Sequence, residues 1–402
     1  MKSGVNLIVL LWALAGLPAD PAPIKQFYLH TADGMVGPGP IERIADDWSI
    51  SLTGDKPVQV PGKDVVSLRR AGQIQPAWPT DEHVLFSNGD RLLGTVAELR
   101  AERLRFQSTL GKSDLTIPLT AVSIIWLGFP DGMSDREVVL RPWQTGRRTR
   151  DIVLLRNRDQ IEGTLSNLDA QTVRLRGVDR KEIRLERGKV AAIILSNDLS
   201  RSLRPRGTYA RLVLSNGSRI SLASAQTEGV MLVGKTLFNS PVTVPLDQVL
   251  ALDLYQGRAT YLSDLKPKRV DLIPYLDVSW PYQADRSVAG NPLKLVTGVF
   301  DKGLGVHSES RLTYDLGGSY QWFEATVGLD EATGRLGSAG IQVLIDGKVQ
   351  DLGTTDDLTY ASPLRYLRLK VAGARELTLV VTFGRQGDVQ DHVDWVDARV
   401  IK

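Results

Sequence analysis

Cysteine is absent from this chain. That removes disulfides, thiol nucleophiles, cysteine-ligated zinc and iron–sulfur clusters, so stability must come from apolar burial in domains of ordinary size. Histidine is scarce, at four residues, which weakens metal-hydrolase and catalytic-triad readings. Charge of one sign is also missing: the formal net charge is +3 with both signs interleaved. That balance argues against nucleic acid or an anionic surface as the main partner. No Gly-x-Ser-x-Gly elbow, His-Glu-x-x-His helix or P-loop occurs, and each would be needed for the chemistry it marks. No run approaches the ~20 apolar residues of a membrane span. The one apolar run, residues 5–14, follows Lys2 and precedes small residues up to Ala22. That order predicts a secretory signal peptide over 1–22, hence a secreted, periplasmic or cell-surface protein.

What is present is ordinary globular material: 402 residues, 42% hydrophobic and 24% charged, enough for two to four domains. The first half repeats itself. Asn88-Gly89-Asp90 within 84–96 recurs as Asn157-Arg158-Asp159 within 153–165 and as Asn216-Gly217-Ser218 within 212–222. A degenerate copy at 27–41 carries Asp33-Gly34. Tight turns flanked by aliphatic residues mark hairpins, because their central positions need φ > 0. Gly94-Thr95-Val96 and Gly163-Thr164-Leu165 then mark a strand with a bulge or a close backbone approach. Each copy closes on an apolar strand, as at 122–127 and 249–254. The expectation is repeats 1 and 2 over 27–128 and repeats 3 and 4 over 150–257, each of four or five short strands. Their order weakly resembles SH3-like or Sm-like small barrels. Lacking an aromatic platform beside a basic stripe, they read as a scaffold or a surface for protein partners. The arginine-rich run 141–150 reads as a solvated linker, with an anion-binding patch as the alternative. A second linker is expected at 265–269.

From Ala259 the pattern changes to period-two alternation with Gly and Asp turns, as in 323–327, 341–345, 366–371 and 377–383. That texture predicts an antiparallel β-sandwich. Four phrases stand out in order: Gly303-Leu304-Gly305-Val306-His307, Val327-Gly328-Leu329-Asp330, Val343-Leu344-Ile345-Asp346-Gly347 and Asp391-His392-Val393-Asp394-Trp395. With them, residues 259–402 resemble the NPCBM family of carbohydrate-binding modules found beside glycosyl hydrolase family 98 catalytic domains. The resemblance implies a galactose-binding-like jelly roll, ligand loops at one end and a structural calcium nearby. The fold class expected for the whole chain is therefore all-β: tandem small barrel-like repeats, then a jelly-roll β-sandwich.

The residues themselves suit the same ligand class. Sugars need an aromatic face for their C–H groups and polar side chains for their hydroxyls. His307, Asp391, His392, Asp394 and Trp395 offer both and form the expected carbohydrate site. Alternation with Val393 leaves open that Trp395 fills the core. Asp330 or Asp394 could bind calcium through carboxylate oxygens or simply cap turns. Glycoside hydrolysis would need two carboxylates facing across a cleft, which the Asp391–Asp394 spacing does not specify. The leading expectation is a secreted, non-catalytic carbohydrate-binding protein. The alternatives are a structural or protein-interaction role without sugar binding, or a hydrolase with an unrecognised site.

Overall fold

The computed structural model describes residues 25–54, 56–109, 114–144, 147–198, 203, 205, 207–275 and 278–402. The expected signal peptide at 1–22 lies outside them. Strands dominate, and among the described residues no helix is long and apolar enough to cross a membrane.

The recurrent turn has a common physical basis. Asn88, Asn157 and Asn216 each accept, through the side-chain oxygen, the backbone N–H two residues on, at 3.1, 3.1 and 2.9 Å. Asparagine is favoured there because its amide closes the turn. The next residue takes positive φ: +86° at Gly89, +75° at Arg158 and +84° at Gly217. Gly94 supplies the close approach, since a Cβ there would sit 2.3 Å from the Gln107 carbonyl oxygen.

In units 2, 3 and 4 the strands form a meander whose last member returns to pair with the first. A short 3-10 turn precedes each last strand, as at Leu119–Ala121 and Leu246–Gln248. These last strands also join units to each other. Val122–Trp126 of unit 2 pairs with Val190–Ile194 of unit 3, and Val65–Arg70 of unit 1 pairs with Val249–Tyr255 of unit 4. Val122–Trp126 and Val190–Ile194 are apolar at nearly every position because both of their faces are covered, whereas Arg69 of unit 1 and Asp253 of unit 4 form an ion pair. A single bridge, Arg219↔Arg91, links units 4 and 2. One apolar core runs through all four units, so the repeats form one body rather than separate beads.

Two expectations are corrected. Residues 136–144 form an α-helix, so the first four residues of the run expected as a linker, 141–144, are helical. Asp135 caps it, accepting N–H bonds from Glu137 at 2.9 Å and Val138 at 3.3 Å. Likewise 265–269 is no linker: the Lys268 N–H donates to the Thr313 carbonyl at 2.7 Å and Arg269 pairs opposite Thr313 at the edge of a sandwich sheet. The passage between the two parts is shorter. Val249–Tyr255 ends unit 4, and Ala259–Tyr261 already pairs with the sandwich strand His392–Ile401.

The sandwich stacks two antiparallel sheets. One contains Gln283–Ala284, Gly303–His307, His392–Ile401, Trp322–Leu329 and Arg365–Lys370, and the other is centred on Glu376–Phe383. Their inner faces interdigitate in a separate core. Polar contacts hold the sandwich to the repeats: Arg69, paired with Asp253 of unit 4 at 2.5 Å, reaches Asp397 of the sandwich at 3.4 Å, and Trp78 donates to Asp301 at 2.8 Å.

Candidate functional site

Gly303–His307 lies antiparallel to His392–Ile401, in a register that sets His307 directly opposite His392. Period two then sorts the side chains. Leu304, Val306, Val393 and Trp395 point into the core, while Gly303, Gly305 and His307 share the outer face with His392 and Asp394. The glycines of this phrase follow from what covers that face. A Cβ on Gly305 would meet the Val288 nitrogen at 2.3 Å and the Arg286 oxygen at 2.4 Å, so the 286–288 backbone packs flat on the strand. His307 stands where this cover ends.

There, three rings converge. The His307 and His392 centroids are 5.3 Å apart, at 65°. The Trp280 indole stacks on His307 at 5.4 Å and 13°, and tilts over His392 at 5.3 Å and 54°. His307 is buried, whereas Trp280 is 37% exposed and offers the accessible face. Each imidazole is oriented by a second group. His307 Nδ1 donates to the Ser308 carbonyl at 2.6 Å. His392 Nδ1 lies 3.1 Å from Thr333 Oγ1, which donates to Asp330 at 3.2 Å. A His392 tautomer with Nδ1–H satisfies that chain. Burial, then the charge of His307, holds His392 down to about 4, so at neutral pH this imidazole is uncharged.

The five expected residues do not share one rim. His307 and His392 meet. Asp391 lies beneath them, fully buried, accepting from Ser308 Oγ at 2.7 Å and Ser338 N at 3.0 Å. It braces the loop and is not open to ligand. Trp395 is at 0% exposure, so its ring is a core residue and has no face for a sugar; the alternation with Val393 decides this. Asp394 is equally buried, under residues 293–295, where it accepts from Lys294 N at 3.1 Å. Trp280, outside the expected set, supplies the aromatic face instead. It belongs to an irregular segment with no periodicity to flag it, and its exposure is the signal.

Asp394 bears on the calcium expectation. Its Oδ1 is buried with no hydrogen-bond partner. Burial and neighbouring Asp330 push its carboxyl well above the usual range, and burial also raises Asp330. Two hard oxygen donors with an orphaned oxygen suit calcium. Among the described residues no three acidic, histidine or cysteine side chains cluster for a metal, so backbone oxygens would have to complete the shell.

The sequence of this region matches the NPCBM/NEW2 domain model over residues 258–401. Residues 258–401 are an NPCBM/NEW2 domain. A 112-residue stretch is 29% identical to a Renibacterium salmoninarum protein named as an endo-alpha-N-acetylgalactosaminidase, covering 28% of this chain. The chain spans only 7% of that relative's length. Among solved structures, a CBM51 from Clostridium perfringens GH95, in complex with methyl-galactose, is 29% identical. It covers 35% of this chain and 99% of its own, with a TM-score of 0.32. A second Clostridium perfringens CBM51, bound to GlcNAc beside further domains of ZmpB, is 26% identical, covering 43% and 36%, with a TM-score of 0.33. In this NPCBM domain the ring cluster of Trp280, His307 and His392 is the candidate ligand site.

Proposed function

We propose that the protein binds carbohydrate at the Trp280–His307–His392 cleft of its NPCBM domain and does so without catalysis. The observation carrying this reading is the partly exposed indole laid against two oriented imidazoles, of which His392 is uncharged at neutral pH. A pyranose offers an apolar C–H face to such an indole and hydroxyls to ring nitrogens beside it. The carboxylates expected to face a ligand, Asp391 and Asp394, are instead buried and engaged. That supports binding over hydrolysis, which needs two carboxyls flanking the bond.

The four repeats act in this reading as a rigid mount. The charged-then-apolar run at the N-terminus supports export, which would bring the cleft to extracellular or envelope glycans. Asp330 and Asp394 would hold a calcium ion whose contribution is to neutralise this carboxylate pair behind His392. Isothermal titration of the full chain with methyl-galactoside and N-acetylglucosamine, the sugars held by the two neighbours, tests the reading. Saturable binding that is lost in Trp280→Ala supports it, and equal binding by that variant overturns it.

A further inference from the structure

A second recess lies at the other end of the same strands. Lys302 immediately precedes Gly303–His307, and Asp285 and Arg286 immediately follow Gln283–Ala284. At ~3.3 Å per residue this end is roughly 16 Å from His307. The recess, about 290 Å³, lies between the repeats and the sandwich, and Arg91, Arg211, Arg286 and Lys302 all line it. It shares Gly89, Arg91 and Arg286 with a neighbouring hollow of about 410 Å³ that runs on to Trp143 and Arg148.

Its lining sets these four cations against three carboxylates, Asp264, Asp285 and Asp301, and Arg211 is already paired with Asp90 at 3.0 Å. Glu137 serves Arg91 at 3.3 Å, Arg136 at 2.7 Å and Arg286 at 2.7 Å. Arg91 is 5% exposed, packs its guanidinium 3.5 Å from the centre of the Trp78 ring, and leaves Nε without a hydrogen-bond partner. Burial and the flanking Arg136 and Arg286 push Arg91 down to about 9, against the pull of Glu137. A buried guanidinium in that state gains from a further anion. Farther along, Arg148 contacts the Leu195 and Trp143 carbonyls, and Arg141 contacts the Asn291 amide at 2.8 Å. The arginine-rich run singled out in the sequence thus contributes to this groove.

We propose that this interdomain groove is a second binding site, for an acidic sugar whose carboxylate or sulfate sits on Arg91 and Arg286. Guanidinium forks match both groups in geometry. The recess is also lined by Asp264 and Asp285, each 2.7 Å from Lys302. Those carboxylates repel a polyphosphate chain but accept hydrogen bonds from sugar hydroxyls. A ligand with one anionic group and several hydroxyls therefore fits better than a nucleic acid backbone. The recess volume suits one residue of such a chain, at the lower limit of small-ligand pockets of roughly 300 Å³.

The test titrates the full chain with a uronic-acid oligosaccharide, a sulfated galactoside, the uncharged parent sugars and a single-stranded oligonucleotide. Either acidic sugar should bind at least tenfold tighter than its uncharged parent, and which one does identifies the anionic group. Arg286→Gln should reduce that binding at least tenfold, and saturating methyl-galactoside should not compete with it. Arg286 is half-buried and pairs with Glu137, which keeps Arg91 and Arg136 after the replacement, and a thermal melt of the variant establishes that it is folded before its affinity is read. Arg91→Lys, which keeps the charge and loses the fork, should show the same loss. The proposal is overturned if parent sugars bind equally, if both variants bind like the wild type, or if the oligonucleotide binds as tightly as the acidic sugars. Because the neutral-sugar cleft is read out separately by competition, failure here is distinct from failure there.

Discussion

The two tryptophans Trp280 and Trp395 should separate binding from folding. Trp395 is at 0% exposure in the sandwich core, so Trp395→Ala leaves a cavity and should cost ~3–5 kcal/mol. Trp280 is 37% exposed and rests on two imidazoles. Its removal should cost no more than ~2 kcal/mol, because much of its surface already meets water. Ligand affinity should respond in the opposite sense. A sugar face covering about 70 Å² of indole, at ~25 cal/mol/Å², contributes ~1.8 kcal/mol. That is roughly a 20-fold rise in Kd for Trp280→Ala. Urea unfolding gives the first pair of numbers and calorimetric titration with the best sugar gives the second. If Trp280→Ala binds with unchanged Kd, or Trp395→Ala loses under ~1 kcal/mol of stability, the assignment of rim and core is wrong.

Three further outcomes follow from the packing. Asp394→Asn keeps the acceptor for Lys294 N but removes a carboxyl raised by burial and Asp330. In chelator at pH 7 it should therefore melt higher than the wild type, while losing any stabilisation by added calcium. A calcium response retained in the variant would contradict this. His83 is buried, donates through Nδ1 to the Asp81 carbonyl at 2.7 Å and is held down to about 3 by burial and Arg136. The unfolded chain takes up that proton below pH ~6.5 and the folded chain does not, so stability falls as pH drops from ~6.5 to ~3. At ~1.4 kcal/mol per pH unit the window is worth up to ~5 kcal/mol. Urea midpoints measured against pH should lose part of this slope in His83→Asn, and identical slopes would refute it. Gly305→Ala places a Cβ 2.3 Å from the Val288 nitrogen, and should cost at least ~1–3 kcal/mol in urea melts. A neutral effect would mean that residues 286–288 do not press on the strand.

Much of this architecture was legible in the chain. The Asn-centred turns announced the repeats because the amide and the following positive φ leave a sequence trace. How the repeats assemble left a fainter one. Val122–Trp126 and Val190–Ile194 are apolar at nearly every position, which signals cover on both faces without naming the partner strand. The nesting of unit 1 with 4 and unit 2 with 3 is tertiary information. The helix Arg136–Gln144 was missed because the arginines and Pro142 outweighed the Asp135 cap. At the candidate site, the phrases holding His307 and His392 stand out in the sequence, and the strand register sets the two residues opposite each other. Trp395 turns into the core because neighbouring residues of a strand point to opposite sheet faces, whereas Asp394 shares the outer face with His392 and is covered by residues 293–295. Trp280 carries no periodicity that marks it in the sequence; only the fold shows it partly uncovered beside the imidazoles.

The most direct measurement is a crystal structure of the full chain soaked in the sugar that binds best in titration. The account predicts a ring lying flat on Trp280, with hydroxyls within hydrogen-bonding distance of His307 or His392 Nε2. Density for the sugar elsewhere on the domain, with the Trp280 face bare, would contradict it.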